Sequence, residues 1–193
     1  MYSNNNYLCL NIAELLRKYS KEELQSKFDN FTCNKNKEIE MFIKNNAIDF
    51  SLKHQSVSYI IFDTKTQDVV AYFALSIKPI RFDINRLSNT ALKRLQRISE
   101  VDLIDNSITP SAYLIAQLGK VDNAKIDIND IFYFLDNNII DIQNACGGVV
   151  EFLESENNDK LVKMYQDIGF KTFNIRKSKS GEDRKLIQMY RLI

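Results

Sequence analysis

The chain has 193 residues, 26 basic and 25 acidic, and 45% of it is hydrophobic, including twelve Phe and nine Tyr. That length and apolar content suit one domain, 1–193, with a sizeable core. The nearly balanced charge does not favour a nucleic-acid binder driven by a whole-domain positive field, although a local basic patch is compatible with it.

In chain order, residues 12–19 and 21–28 read as two short helices within an N-terminal helical extension, 1–30. Ser20 caps the second, and Glu23 three residues later completes a capping box. The run Asn4 to Asn6 reads as a frayed terminus. After an extended stretch at 30–33, a longer helix is expected over about 37–53, because Ile39, Phe42, Ile43, Ala47 and Phe50 recur at helical spacing. Residues 57–62 and 69–77 are β-rich, and the polar segment 63–68 joins them as a hairpin that Pro79 ends.

Residues 81–110 form a variable insertion with a basic helix expected over about 87–98. The insertion carries Arg81, Arg86, Lys93, Arg94 and Arg97. This stretch is either a contact for a polyanion or a solvated helix face. A strand at 112–118 follows, then a helix from about 128 to 144 that Gly147-Gly148 stops. Next come a strand at 149–153, a helix at 158–168 stopped by Gly169, and strands at 170–175 and 186–193 around a charged tip at 177–185. Strand, helix and strand between 112 and 153 require a crossover, so those two strands are expected to be parallel.

Three widely spaced cysteines (Cys9, Cys33, Cys146) and one histidine (His54) suit neither a disulfide framework nor a Cys/His zinc site, so no metal is expected. His54 reads as a surface residue at a helix end. No segment approaches the ~20 apolar residues of a membrane span. The N-terminus lacks a basic leader. A reduced cytoplasmic location is the expectation.

The segment Asn158 to Phe170, with Tyr165 seven residues after the Asn and Gly169-Phe170 closing it, resembles the last helix and following strand of GNAT N-acetyltransferases. Phe31-Thr-Cys33, the helix after it and the hairpin strand Val70 to Leu75 resemble the bacterial subgroup that includes toxins of toxin–antitoxin pairs. The likeness spans nearly the whole chain. It implies an α/β fold: a mixed, mostly antiparallel twisted sheet with a splayed central parallel pair, flanked by helices. It further implies acetyl-CoA as cosubstrate and direct transfer of its acetyl group to an amine acceptor. A homodimer and an antitoxin partner are compatible with the resemblance.

In that family the thioester lies along a strand end, which Leu118, Gly119 and Lys120 match. The diphosphate sits at the N-terminus of the next helix, where free N–H groups favour anions. The corresponding loop here, Lys125-Ile126-Asp127-Ile128-Asn129-Asp130, has none of the family's glycines. Asp127 and Asp130 would repel a diphosphate, with Lys120 and Lys125 offsetting them. Asp127 is equally readable as a helix N-cap. Tyr165 matches the general acid, since a phenol stays protonated at neutral pH and can protonate the leaving thiolate. It is also readable as a core tyrosine. Asn158 matches a coenzyme contact and is also readable as an N-cap. Glu154 is the candidate general base, with a solvated carboxylate as its other reading. The missing glycines keep open a GNAT-fold binding or regulatory protein with impaired catalysis, and the resemblance to the toxin subgroup keeps open a toxin acting on aminoacyl-tRNA.

Overall fold

The structure is a computed structural model describing residues 1–177 and 184–193. Contacts cluster into two units. One comprises residues 1–76 and 116–145, the other 77–115 and 146–193.

The first unit is a meander of antiparallel strands backed by helices. Strands β1 (Tyr2–Ser3), β2 (Tyr7–Asn11), β3 (Val57–Asp63) and β4 (Val69–Pro79) pair in that order, β4 running on into the second unit. The N-terminus is therefore a hairpin, and the frayed helical extension expected there starts later. Its turn is held by the Asn4 side chain, whose Oδ1 accepts from the N–H groups of Asn6 and Tyr7 at 3.0 and 2.8 Å. Short side-chain amides of this kind mimic a backbone turn.

Helices α1 (Ile12–Leu15) and α2 (Lys21–Asp29) each begin with a capping box, Asn11 with Glu14 and the expected Ser20 with Glu23. The long helix expected next is two helices, α3 (Lys37–Asn45) and α4 (Ala47–Leu52), broken at Asn46 where φ is −120°. Apolar spacing continues across the break, so periodicity alone does not reveal it. Ile12, Leu24, Phe28, Ile43 and Ala47 close over Ile60 of β3 and Tyr72 of β4 in one dry core. Such a cluster, with each large side chain worth roughly 1.5–3 kcal/mol on burial, is what holds short helices that would not persist alone.

In the second unit, β5 (Phe82–Asp83), β6 (Val101–Asp102) and β7 (Ser107–Ile108) form a three-stranded sheet, β5-β7-β6. Between β5 and β6, α5 (Asn89–Leu95), capped by Ser88, is shorter than the expected 87–98 helix. The main sheet of this unit orders β8 (Ser111–Lys120), β9 (Val150–Glu156), β11 (Lys185–Leu192) and β10 (Lys171–Lys177). The pair β8–β9 is parallel, as expected from the crossover, and its ladder has three pairs, ending at Ile115↔Leu153. β8 runs on to Lys120 and into the first unit. Of the expected charged tip at 177–185, residues 178–183 lie outside the described residues.

Helix α6 (Ile128–Cys146) turns its buried residues Ile131, Phe134, Leu135, Asn138 and Ile139 to one side, at the helical period. It stops at Gly147 and Gly148, with φ of 75° and 110°. Gly148 also leaves room for the Tyr113 hydroxyl, which a Cβ there would meet at 2.7 Å. Helix α7 (Asp159–Asp167) follows β9. No helix of the described residues is long and apolar enough to cross a membrane.

Candidate functional site

The first unit carries the β8 end and the loop into α6. Gly119 is required there by packing. A Cβ at Gly119 would lie 2.2 Å from Cγ2 of Ile39 and 3.1 Å from the Tyr72 ring, while the Tyr72 hydroxyl donates to the Ile39 carbonyl at 2.7 Å. Beyond β8 the chain is tied down at successive residues. Val121 N–H donates to the Val70 carbonyl at 2.9 Å, and Asp122 N–H donates to the Thr32 carbonyl at 3.1 Å. The Asp122 carboxylate accepts from both the backbone and the side-chain amide of Asn34, the latter at 2.8 Å. These two partners are 88 residues apart, and no local signal in the sequence links them.

Lys120 turns inward on its own loop. Its ammonium donates to the carbonyls of Ala124 and Ile126 at 3.2 and 2.9 Å. Ile126 is fully buried, so its side chain serves the core and only its backbone borders the loop. Asp127 is the N-cap of α6, with Oδ1 accepting from Asp130 N–H at 2.9 Å. Asp130 in turn accepts from the Asn4 side chain at 3.4 Å. The N–H groups of Ile128 and Asn129 meet no acceptor among the described residues. They form an open helix N-terminus, a place where an anion is favoured. Lys125 and Asp127 are exposed beside it.

The second unit carries β9 and α7. Glu154 was the candidate base, but both its oxygens are engaged. Arg176 grips it with Nε at 2.5 Å and with Nη2, and the Gln188 side chain donates at 2.8 Å. Burial pushes its carboxyl up, yet the hydrogen bonds from Arg176 and Gln188 outweigh burial and hold it below the usual carboxylate range. A carboxylate so held accepts a proton poorly, and its evident work is joining β9 to β10 and β11. On the same strand, Glu151 is buried against Arg191, at 2.6 Å.

Asn158 is the N-cap of α7, with Oδ1 accepting from the N–H groups of Lys160 and Leu161 at 3.0 and 3.4 Å. Its Nδ2 donates to none of the described residues. Tyr165 is half-buried on α7, its ring meeting Phe170 edge-on with centroids 6.1 Å apart. Burial pushes its phenol up to about 12, so the proton stays on at neutral pH. The turn from α7 into β10 needs Gly169, whose φ is 102°. Behind it the Arg191 guanidinium lies over the Phe170 ring at 4.9 Å.

The basic residues of 81–110 do not form one helix face. Arg81 pairs with Asp105 at 2.9 Å, Arg86 lies 3.6 Å from Asp83, and Arg94 reaches the carbonyl of Ile193. Among the described residues no group of three His, Cys, Asp or Glu side chains is placed to hold a metal ion.

No family model matches the sequence, and no curated protein matches it. Solved structures do. AtaT complexed with acetyl-methionyl-tRNAfMet aligns at a TM-score of 0.63 and 13% identity, covering 94% of this chain and 93% of that one. A Tyr-to-Phe mutant of KacT aligns at 0.62 and 13%, covering 94% of each chain. A Tyr-to-Phe mutant of the AtaT toxin, bound to the C-terminus of the antitoxin AtaR and acetyl-CoA, aligns at 0.53 and 12%, covering 86% and 84%. At this identity the likeness establishes the architecture: the chain has the mixed, mostly antiparallel GNAT-type fold with one parallel strand pair.

Proposed function

We propose that the protein is an N-acetyltransferase that moves the acetyl group of acetyl-CoA to an amine by direct attack. The observation that carries this reading is the open N-terminus of α6. In a chain of this fold, two N–H groups, Ile128 and Asn129, stand without acceptors at the start of a 19-residue helix. They suit a diphosphate, and Lys125 adds a positive charge nearby. Acetyl-CoA supplies the activated acetyl group as a thioester. The backbone of Leu118, Gly119 and Lys120 lines the pantetheine arm in this reading, and the Nδ2 group of Asn158 is available to it. Tyr165 protonates the departing thiolate. A phenol raised to about 12 holds its proton at neutral pH; because the thiolate is the weaker base, the transfer runs uphill and accompanies breaking of the C–S bond, and the phenolate regains its proton from solvent. With Glu154 held by Arg176, no dedicated base is assigned, and the amine loses its proton to water.

The acceptor is an amine. Because AtaT is seen with acetyl-methionyl-tRNAfMet, an aminoacyl-tRNA is the first acceptor to test, with toxicity and an antitoxin partner as its corollaries. A cytoplasmic setting and a homodimer belong to the same reading.

A specific observation also favours a second reading, a fold retained for binding with catalysis impaired. The Asp127 carboxylate occupies the N–H of Asp130, and both carboxylates stand where the diphosphate would lie. Calorimetric titration with acetyl-CoA and with coenzyme A separates the two. Saturable micromolar binding, followed by acetylation that fails in Tyr165→Phe, supports the enzyme. Absence of binding up to millimolar ligand supports the second reading.

A further inference from the structure

The second unit contains a cavity of about 430 Å³ that plays no part in the site above. That volume falls within the range of small-molecule sites. Its floor is aromatic: Phe82 is buried, and its ring meets those of Phe173 and Tyr190 with centroids 4.9 Å away in each case. Phe173 is half-buried and lines the cavity with Phe82. The rim is ionic and balanced. Arg81 and Asp105 pair at 2.9 Å, and Arg86 and Asp83 approach only to 3.6 Å. Between floor and rim lies Ser107, 95% buried by its 5% exposure, whose hydroxyl makes no hydrogen bond with any described residue. It is absent from the buried hydroxyls sealed away from every partner, which are those of Ser56 and Ser58 among the described residues. A hydroxyl lining the cavity can both donate to and accept from a ligand seated there.

The charges select the ligand. A net anion would face Asp83 and Asp105, and a net cation would face Arg81 and Arg86. A neutral dipolar molecule meets both signs: its carboxylate against a guanidinium fork and its ammonium against a carboxylate. Exposed rim pairs are weak, so exchanging their partners costs little. The aromatic floor asks for a ring or a branched apolar group, edge-on or offset. We propose that this cavity binds a zwitterionic α-amino acid with an aromatic or large apolar side chain. The proposal stands apart from the acetyl-transfer reading, because it needs neither acetyl-CoA nor Tyr165.

The test is equilibrium binding to the intact protein without acetyl-CoA, by calorimetry and ligand-observed NMR, using L-phenylalanine as probe. Phenylacetate and phenethylamine each carry one of its two charges. Saturable binding of L-phenylalanine, at least tenfold tighter than either analogue, is expected. Arg81→Gln and Ser107→Ala should each weaken it threefold or more, with an unchanged melting temperature showing that the fold persists. Equal binding of phenylacetate would overturn the zwitterion assignment. So would the absence of saturation at about 10 mM, where even a fragment-like ligand of millimolar Kd would register. Binding that Arg81→Gln and Ser107→Ala leave unchanged would place the ligand elsewhere and overturn the site.

Discussion

The ammonium of Lys120 closes on the carbonyl of Ile126, 2.9 Å away, and so draws the segment from β8 to the start of α6 into a loop. In the GNAT resemblance, glycines let this segment curl around phosphates. Here a side chain bends the backbone that glycine would have left free. In the proposed reading the lysine thus shapes the loop that leads to the N–H groups of Ile128 and Asn129. Lys120→Met should therefore weaken acetyl-CoA binding by about tenfold, near 1.4 kcal/mol, while the melting temperature moves little. Calorimetry on both proteins checks this. An unchanged Kd would remove Lys120 from the coenzyme site.

Gly119 tests how tightly the β8 end is packed on α3. The Cγ2 atom of Ile39 would sit 2.2 Å from an added Cβ, far inside van der Waals contact. Gly119→Ala is expected to destabilise the fold by about 1–3 kcal/mol, the usual cost of overpacking. Ile39→Ala creates space at the same point, so the double variant should be more stable than the sum of the two losses. The coupling measured by urea unfolding should be about 0.5–3 kcal/mol. Strict additivity would mean that the strand end relaxes instead.

What the sequence made legible was local. The Ser20 and Asn158 caps, the β3–β4 hairpin, the α6 stripe and the glycines that stop it each depend on residues within a turn or two of one another. The two-residue strands β5, β6 and β7 span a single β period, too short to show an alternation. Asn4 looked like part of a polar tail because its hydrogen bonds to Asn6 and Tyr7 matter only once β1 and β2 meet. For the site, the loop was located by order and resemblance. The anchoring of Asp122 by Asn34 and the capture of Glu154 by Arg176 are tertiary, and nothing near those residues announces them; the turn of Lys120 onto Ala124 and Ile126 is local, but no residue pattern in the loop specifies it.

Glu154 illustrates the consequence. With its carboxyl held below the usual range by Arg176 and Gln188, its ion pair contributes stability that is present above the unfolded carboxyl's value of about 4.3 and is lost as pH falls through the lower folded value. Glu154→Gln should lower the melting temperature at pH 7, and the gap from the parent should close as pH drops below about 4. Acetyl transfer at neutral pH should stay within about threefold in the proposed reading, which gives Glu154 no base role. A hundredfold loss of rate with an unchanged melting temperature would restore the base assignment.

Tyr165 is the residue on which chemistry and stability can be separated. Tyr165→Phe keeps the ring that meets Phe170 at 6.1 Å and removes the hydroxyl with its proton. If Tyr165 is the acid, turnover should fall about 10²–10⁴-fold while the Kd for acetyl-CoA stays within about twofold. The alkaline limb offers a readout independent of any acceptor. Burial raises the phenol from its ordinary 10 to about 12, so the folded chain holds the proton more tightly than the unfolded chain. That stability is fully present below pH 10 and declines as pH rises through about 12, at most about 1.4 kcal/mol per pH unit. The phenylalanine variant has no such proton to lose. Its unfolding free energy should therefore fall less steeply between pH 10 and 12 in parallel denaturant titrations. Identical slopes would show that the hydroxyl is solvated in the native state, and an acid drawn from that position would then have to be an ordinary phenol.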